Sequence, residues 1–286
     1  GEGALLTVIR RRFLEKFVNY TYVGDILIVV NPYMVITENV RIEEPAKAYE
    51  LGKDPCIYAT GHFAYWALIK PKPMDLAKDG SKMNQSCVVS GESGSGKTIA
   101  CGYLMRYLAR LSKWSAQGTA GATKSMADLV SGVSPFLEAF GNAKTNWNNN
   151  SSRFGKFMKI FFNDAGQIEG GIMEHYLLEK ARLVEQGAGE RSYHIFYFLL
   201  KGATPQERQK FRLTAPIESF QSIFKGKTKD VPCDPEDLQD DHGKQLYADL
   251  DDMRMNAPVD PKKNSDDWGV RAALTAASIP PEVQQK

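Results

Sequence analysis

The segment GESGSGKT, Gly91 to Thr98, lies between the apolar run QSCVVS and the helix-patterned IACGYLMRYLARL. It meets the spacing GxxxxGK[ST] in full, with Gly91, Gly96, Lys97 and Thr98 at the defining positions. Glycines let the backbone curl until successive N–H groups point inward, and the next helix adds its positive end. Together they make a cradle for phosphate oxygens. Lys97 is the residue to bridge the β- and γ-phosphates, and the Thr98 hydroxyl the one to bind Mg²⁺. The backbone of Glu92, Ser93, Gly94 and Ser95 forms the wall of the cradle, with the Glu92 carboxylate expected to turn away from the anion. Such a loop needs a strand before it and a helix after it. That requirement commits this part of the chain to an α/β fold.

A phosphate cradle alone binds. Turnover also needs groups that sense the γ-phosphate and place water. The polar run NNNSSRFGK, Asn148 to Lys156, brings amides, two hydroxyls and a guanidinium together. Neighbouring residues of an extended segment point opposite ways, so one of Ser151 and Ser152 can ligate Mg²⁺ while the other faces the γ-phosphate. Runs of Asn and Ser otherwise make solvated turns. Downstream of a phosphate loop, this one reads as the sensor.

The flanking pattern fits. Helical spacing is expected over Leu5–Phe17, Glu43–Leu51, Ala59–Ile69, Lys97–Leu111, Met126–Phe140 and Arg191–Leu200, with a further helix near Trp268–Ala277. Ile26–Val30 reads as a strand covered on both faces and stopped by Asn31-Pro32, and SCVVS as another buried strand. Two strands joined by a tight turn at Asn163–Gly166 follow the Ser-Ser run. Such alternation predicts a largely parallel or mixed central sheet flanked by helices. SKWSAQGTAGATKS has little apolar mass and reads as a mobile surface loop beginning near Trp114. No internal repeats are visible.

With 286 residues, 43% of them hydrophobic, the chain can bury a sizeable core. Its 36 basic and 34 acidic residues are interspersed and give a net charge of +2, so no polybasic face offers itself to nucleic acid or anionic lipid. Cys56, Cys87, Cys101 and Cys233 lack CxxC spacing and are expected to be reduced thiols. No signal peptide and no span-length apolar run is seen, so a soluble, cytoplasmic protein is expected.

GESGSGKT and NNNSSRFGKF resemble the P-loop and switch I of the myosin motor domain. YTYVGDILIVVNPY is similar to the myosin strand and purine-binding loop, and LLEKARL with ERSYHIFYFLL to the segment after the switch I hairpin. The likeness runs from about Leu5 to Ala203 and loosens beyond Thr204. The expected division is therefore 1–203, the nucleotide-binding part of a motor domain, and 204–286, its helical, loop-rich continuation. Kinesins share the Ser-Ser-Arg idea but continue Ser-His instead of Phe-Gly-Lys. Ser95, where myosins usually carry Ala, is the one kinesin-like touch.

The resemblance implies ATP and Mg²⁺ as ligands, an actin filament as partner, and cytoskeletal association. It puts Asn31, Pro32 and Tyr33 at the adenine and Asn148 at the α/β-phosphates. It puts Ser152 beside Thr98 on Mg²⁺, Ser151 at the γ-phosphate and the lytic water, and Arg153 opposite a glutamate of switch II. Met34 and Asn39 stand where myosins usually carry lysine and tyrosine, which alters the base contacts.

Switch II, Asp-x-x-Gly-x-Glu, is not found downstream. FFNDAGQ imitates it, but Asp164 follows switch I too closely and leads into a second strand, so a hairpin turn is the better reading. CDPEDLQDD and DLDD read as solvated surface. The expectation is thus a partial motor domain that lacks switch II. Its Arg153 would have no carboxylate partner, its switch I would be loose, and the chain alone would hydrolyse ATP very slowly. Loss of one member of such a constellation commonly costs factors of order 10²–10⁴. Two other readings compete: a non-catalytic nucleotide-binding or interaction module, and a nucleotide kinase. The kinase reading gives no role to NNNSSRFG. His194 and His62 are expected to be packed core residues, His62 within an aromatic cluster with Phe63, Tyr65 and Trp66.

Overall fold

The structure, a computed structural model, describes residues 1–34, 55–71, 77–78, 80, 83–115, 134–232, 250–257 and 269–276. The chain divides into two compact units: Gly1–Ala127 with Ile160–Gly170, and Asp128–Lys159 with Gly171–Lys286.

The first unit opens with α1, Glu2–Lys16, and a hairpin of β1, Tyr20–Val23, and β2, Ile26–Val29, paired antiparallel. α2, Ile57–Ile69, starts at Cys56, whose Sγ accepts the Ala59 N–H at 3.3 Å. The helix stops one residue short of Pro71, because the residue before a proline is driven out of the helical region. α3, Lys97–Ser115, packs its Leu104, Tyr107, Leu108 and Leu111 against Ile57, Tyr58 and Tyr65 to form the core of this unit. That packing anchors the helix that follows the Gly91–Gly96 loop. His62 lies in the same core, bonded to the Tyr107 hydroxyl at 3.0 Å and ringed by Phe63 and Trp66, as expected.

The hairpin of β5, Gly155–Phe162, and β6, Ile168–Tyr176, contributes its turn end to this unit. Its tight turn closes through the Gly166 N–H on the Asn163 carbonyl at 2.9 Å. The Tyr65 hydroxyl donates to the Gly166 carbonyl and the Ile168 N–H to Ser112 Oγ, so the turn is fastened to α2 and α3. Asp164 therefore belongs to a hairpin turn, as the sequence indicated.

In the second unit, α4, Ser134–Gly141, runs straight into β3, Asn142–Ala143, which pairs antiparallel with β4, Ser151–Ser152. α5, His194–Gly202, is followed by α6, Pro205–Lys210, whose Thr204–Glu207 capping box satisfies its first amides. α7, Leu250–Asn256, and α8, Val270–Ala276, complete it. Ala139, Phe198, Met255 and Val270 join α4, α5, α7 and α8 in one apolar cluster.

The described residues form three two-stranded sheets, and the expected largely parallel or mixed central sheet is not confirmed among them. Four other expectations are corrected. Cys87–Val89 is unpaired and Val88 is 89% exposed: a strand exists only when a neighbour takes its backbone groups, and no described strand does. The Ile26–Val29 strand is not covered on both faces, since Ile26 is exposed and the rest half-buried. α3 runs to Ser115, past the expected end at Leu111. Asp251 is no surface acid. Arg191, itself buried, meets it through two hydrogen bonds, and the half-buried Lys201 through a third contact. The helix expected at Glu43–Leu51, the body of the Gly/Ala/Ser loop, the first half of Met126–Phe140, Asn39 and the acids of CDPEDLQDD lie outside the described residues.

Candidate functional site

The expected phosphate loop, Gly91–Thr98, belongs to the first unit. Gly96 adopts φ +89°, a left-handed conformation that side chains rarely take, and its carbonyl accepts the Ala100 N–H as the first turn of α3 closes. At the other end, a Cβ on Gly91 would stand 2.6 Å from Ser95 Oγ, so the loop closes tightly on itself only with glycine there. Lys97 Nζ donates to the carbonyls of Gly91 and Glu92, each at 2.6 Å. The ammonium thus folds back over the bend, the place where the spacing calls for an anion. Glu92 is exposed.

Asn31 joins this arrangement from the end of the β1–β2 hairpin. Its Nδ2 donates to the Gly94 carbonyl at 2.7 Å, while its Oδ1 accepts the Tyr33 N–H at 3.1 Å. Asn31 and Pro32 are half-buried and Tyr33 is 83% exposed, open to solvent. The segment expected at the base and the one expected at the phosphates are therefore fastened together by a side-chain amide. The cradle is suited to an acceptor-rich anion. Ser95 Oγ is buried without a partner among the described residues, the Lys97 ammonium sits at the bend, and Thr98 offers a hydroxyl, a ligand suited to a hard cation.

The Ser-Ser run belongs to the second unit. Strand alternation puts Ser151 and Arg153 on one side and Ser152 on the other. Ser151 is 2% exposed and Ser152 half-buried. Arg153 Nη1 donates to Ser151 Oγ at 3.1 Å, and its own N–H to the Gly141 carbonyl at 2.8 Å. The preceding loop is self-tied. Thr145 bonds Asn148 through both backbone and hydroxyl, and Asn148 Oδ1 accepts the Asn150 N–H at 2.9 Å.

Asn150 Oδ1 in turn accepts from Asn142 Nδ2 at 3.0 Å and from His194 Nε2–H at 3.2 Å, and Asn150 Nδ2 donates to Glu138. His194 stacks flat on Phe198 and is buried, as expected of a core histidine. Desolvation, aided by the Arg191 and Arg254 charges, pushes its pKa down to about 3, so it is neutral and no general base at ordinary pH.

Arg153 overturns the expectation of an unpartnered guanidinium. Its Nε donates to Glu179 Oε2 at 2.6 Å. Arg182 Nε donates to the same oxygen at 2.7 Å, and Arg182 also reaches Glu190 at 3.1 Å. Burial works to raise the Glu179 carboxyl. The hydrogen bonds and charges of Arg153 and Arg182 outweigh it and hold the group below its ordinary value. Glu179 lies outside the Asn-Ser run, and its only local signal is the arginine three residues on, Arg182.

Residues 1–255 match the myosin head (motor domain) family. Unconventional myosin-IXAa of Danio rerio is 43% identical over 220 residues, covering 76% of this chain and 8% of that protein. Unconventional myosin-VI of Homo sapiens is 41% identical over 233 residues, 80% of this chain and 16% of that protein. Myosin IC heavy chain of Dictyostelium discoideum is 40% identical over 232 residues, 79% and 18% respectively. The chain spans less than a fifth of the length of each of these relatives.

Proposed function

Because the chain belongs to the myosin head (motor domain) family, we propose that it is the ATP-binding portion of an actin-based motor, in which Mg·ATP hydrolysis drives force on actin filaments. Asn31 fastened to Gly94 is the observation that carries this reading. A base-side segment and a phosphate-side segment are held as one binding surface, as a nucleotide requires and a plain glycine turn does not.

In this reading Asn31, Pro32 and Tyr33 meet the adenine. The loop amides from Gly91 to Gly96, with Ser95 Oγ, take the phosphate oxygens, and Asn148 the α/β-phosphates. Lys97 leaves the Gly91 and Glu92 carbonyls for the β- and γ-phosphates, exchanging two neutral acceptors for charged ones, which are roughly twice as strong. Thr98 and, by the resemblance, Ser152 are the hydroxyls that would hold Mg²⁺, which would supply charge neutralisation to the phosphates. Ser151 orients the attacking water at the γ-phosphate, and Arg153 orients Ser151.

Within a longer motor, Cys87–Val89 would find strand neighbours and complete a largely parallel or mixed central sheet. Residues 1–203 would then carry the nucleotide and 204–286 continue the motor domain. Hydrolysis belongs to that complete domain, while this chain alone binds and turns over very slowly. Its setting is the cytoplasm, at the cytoskeleton. The second reading, a non-catalytic myosin-like module, is favoured at one point only, the Lys97 ammonium already satisfied by loop carbonyls.

Displacement of a fluorescent ATP analogue by ATP, ADP and GTP, with phosphate release measured with and without actin filaments, tests the proposal. ATP should compete well ahead of GTP. Phosphate release should stay near background from this chain and become actin-stimulated in a motor domain that contains it. No competition by ATP would sink the reading. Binding by this chain without actin stimulation in the larger domain would hand it to the non-catalytic module.

A further inference from the structure

Arg153 and Glu179 meet twice. The Glu179 N–H donates to the Arg153 carbonyl at 3.0 Å, and the Glu179 carboxylate takes the Arg153 Nε–H at 2.6 Å. A residue gripped at backbone and side chain by the same neighbour has little freedom left.

Glu179 is itself anchored. The Tyr193 hydroxyl donates to its carbonyl at 2.7 Å. Arg182, 5% exposed, braces its carboxylate from the far side while also donating to the Arg191 carbonyl. The chain reaches this position through Leu177, which adopts φ +57° although it is bulky and 85% exposed. An isobutyl side chain open to solvent gains nothing there, so the bend must be enforced by what it delivers. Two residues later it delivers Glu179 to Arg153.

From these contacts we infer that Glu179 is a positioning residue for the Ser151–Arg153 segment: it fixes the Arg153 guanidinium, which in turn fixes the Ser151 hydroxyl. The inference rests on the proposed role of Ser151 at the γ-phosphate. Glu179 does not touch the nucleotide. It sets the direction in which Ser151 Oγ points, because Arg153 Nη1 donates to that oxygen at 3.1 Å. A neutral amide cannot replace the carboxylate. Oε2 accepts from two guanidinium groups at once and Oε1 faces Arg182 Nη2 at 3.4 Å, where an NH₂ would oppose a donor. Glu179→Gln preserves shape and breaks the clamp.

The test compares Mg·ATP with Mg·ADP, since a residue that positions the γ-phosphate group changes their ratio, whereas general loosening lowers both together. In Glu179→Gln the preference for Mg·ATP over Mg·ADP should fall about tenfold, the scale of one charge-assisted hydrogen bond. In an Arg153→Ala background the same substitution should change the ratio no further. An unchanged ratio, a parallel loss of both nucleotides, or an equal additional loss in the Arg153→Ala background overturns the inference.

A second arm needs no nucleotide. The Arg153 Nε–H resonance should exchange slowly with water in the wild-type chain and at least tenfold faster in Glu179→Gln. Equal exchange overturns the clamp. If the wild-type chain bound no nucleotide, the functional reading would fail, and this second arm would still decide whether Glu179 holds Arg153. Should Glu179→Gln fold poorly, Glu179→Asp keeps the charge but is too short to serve both arginines, and the same two readouts apply.

Discussion

The Asn31 side-chain amide donates to the Gly94 carbonyl at 2.7 Å, tying the end of the β1–β2 hairpin to the middle of the Gly91–Gly96 loop. Asn31→Ala removes that tie and leaves a half-buried carbonyl without its donor. The expected cost is about 1 kcal/mol, a fall in Tm of about 2–4 °C. Amide exchange across Ser93–Gly96 should quicken while that of α2 stays as it was. If the loop amides exchange as slowly in the variant, the loop holds its shape without Asn31.

Arg191 and Asp251 form the most deeply buried ion pair among the described residues, at 0% and 2% side-chain exposure, with Arg191 also stacked on Tyr197. Removing one partner strands the other charge. Asp251→Asn should therefore lower stability by about 3–5 kcal/mol in chemical denaturation. Lys159→Ala, which breaks the exposed pair with Glu174, should cost less than about 1 kcal/mol. Similar losses in the two variants would contradict the burial seen here.

Acid sensitivity should begin near neutrality. In the folded chain His194 stays neutral down to about 3, while in the unfolded chain it takes up a proton near its ordinary 6.5. Between those values the unfolded state binds more protons, so stability rises with pH. The contribution is complete above 6.5 and drains away as pH falls towards 3, with a slope of at most about 1.4 kcal/mol per pH unit. His62, also lowered by burial, adds in the same direction. The Glu179 carboxyl, held below its ordinary 4.5, adds a loss only below that pH. Denaturation midpoints at pH 7.5, 6.0 and 5.0 should show the slope, and His194→Gln should flatten part of it. An unaltered slope in the variant would mean that His194 is not the group titrating.

The parts of the site that were legible are those written in local chemistry. GESGSGKT shows itself because its glycines are needed for the turn, and the β5–β6 hairpin because Asn-Asp-Ala-Gly between apolar runs has few other conformations. What was hidden depends on where distant residues meet. Arg153 and Glu179 are 26 positions apart and come together through a bend at Leu177 that no propensity announces. Asp251 looked solvated because its partner Arg191 is 60 positions upstream. Cys87–Val89 carried the pattern of a buried strand, yet pattern records what a segment can bury, and pairing needs a neighbour.

The central claim is that this chain forms a nucleotide site around Lys97. The melting temperature with and without Mg·ATP, beside Lys97→Ala, tests it most directly. At 100 times its dissociation constant a ligand stabilises the folded state by about 2.7 kcal/mol. The account predicts a rise of several degrees in the wild-type chain and little or none in Lys97→Ala. No rise in a cooperatively melting wild-type chain, or an equal rise in both, would contradict it.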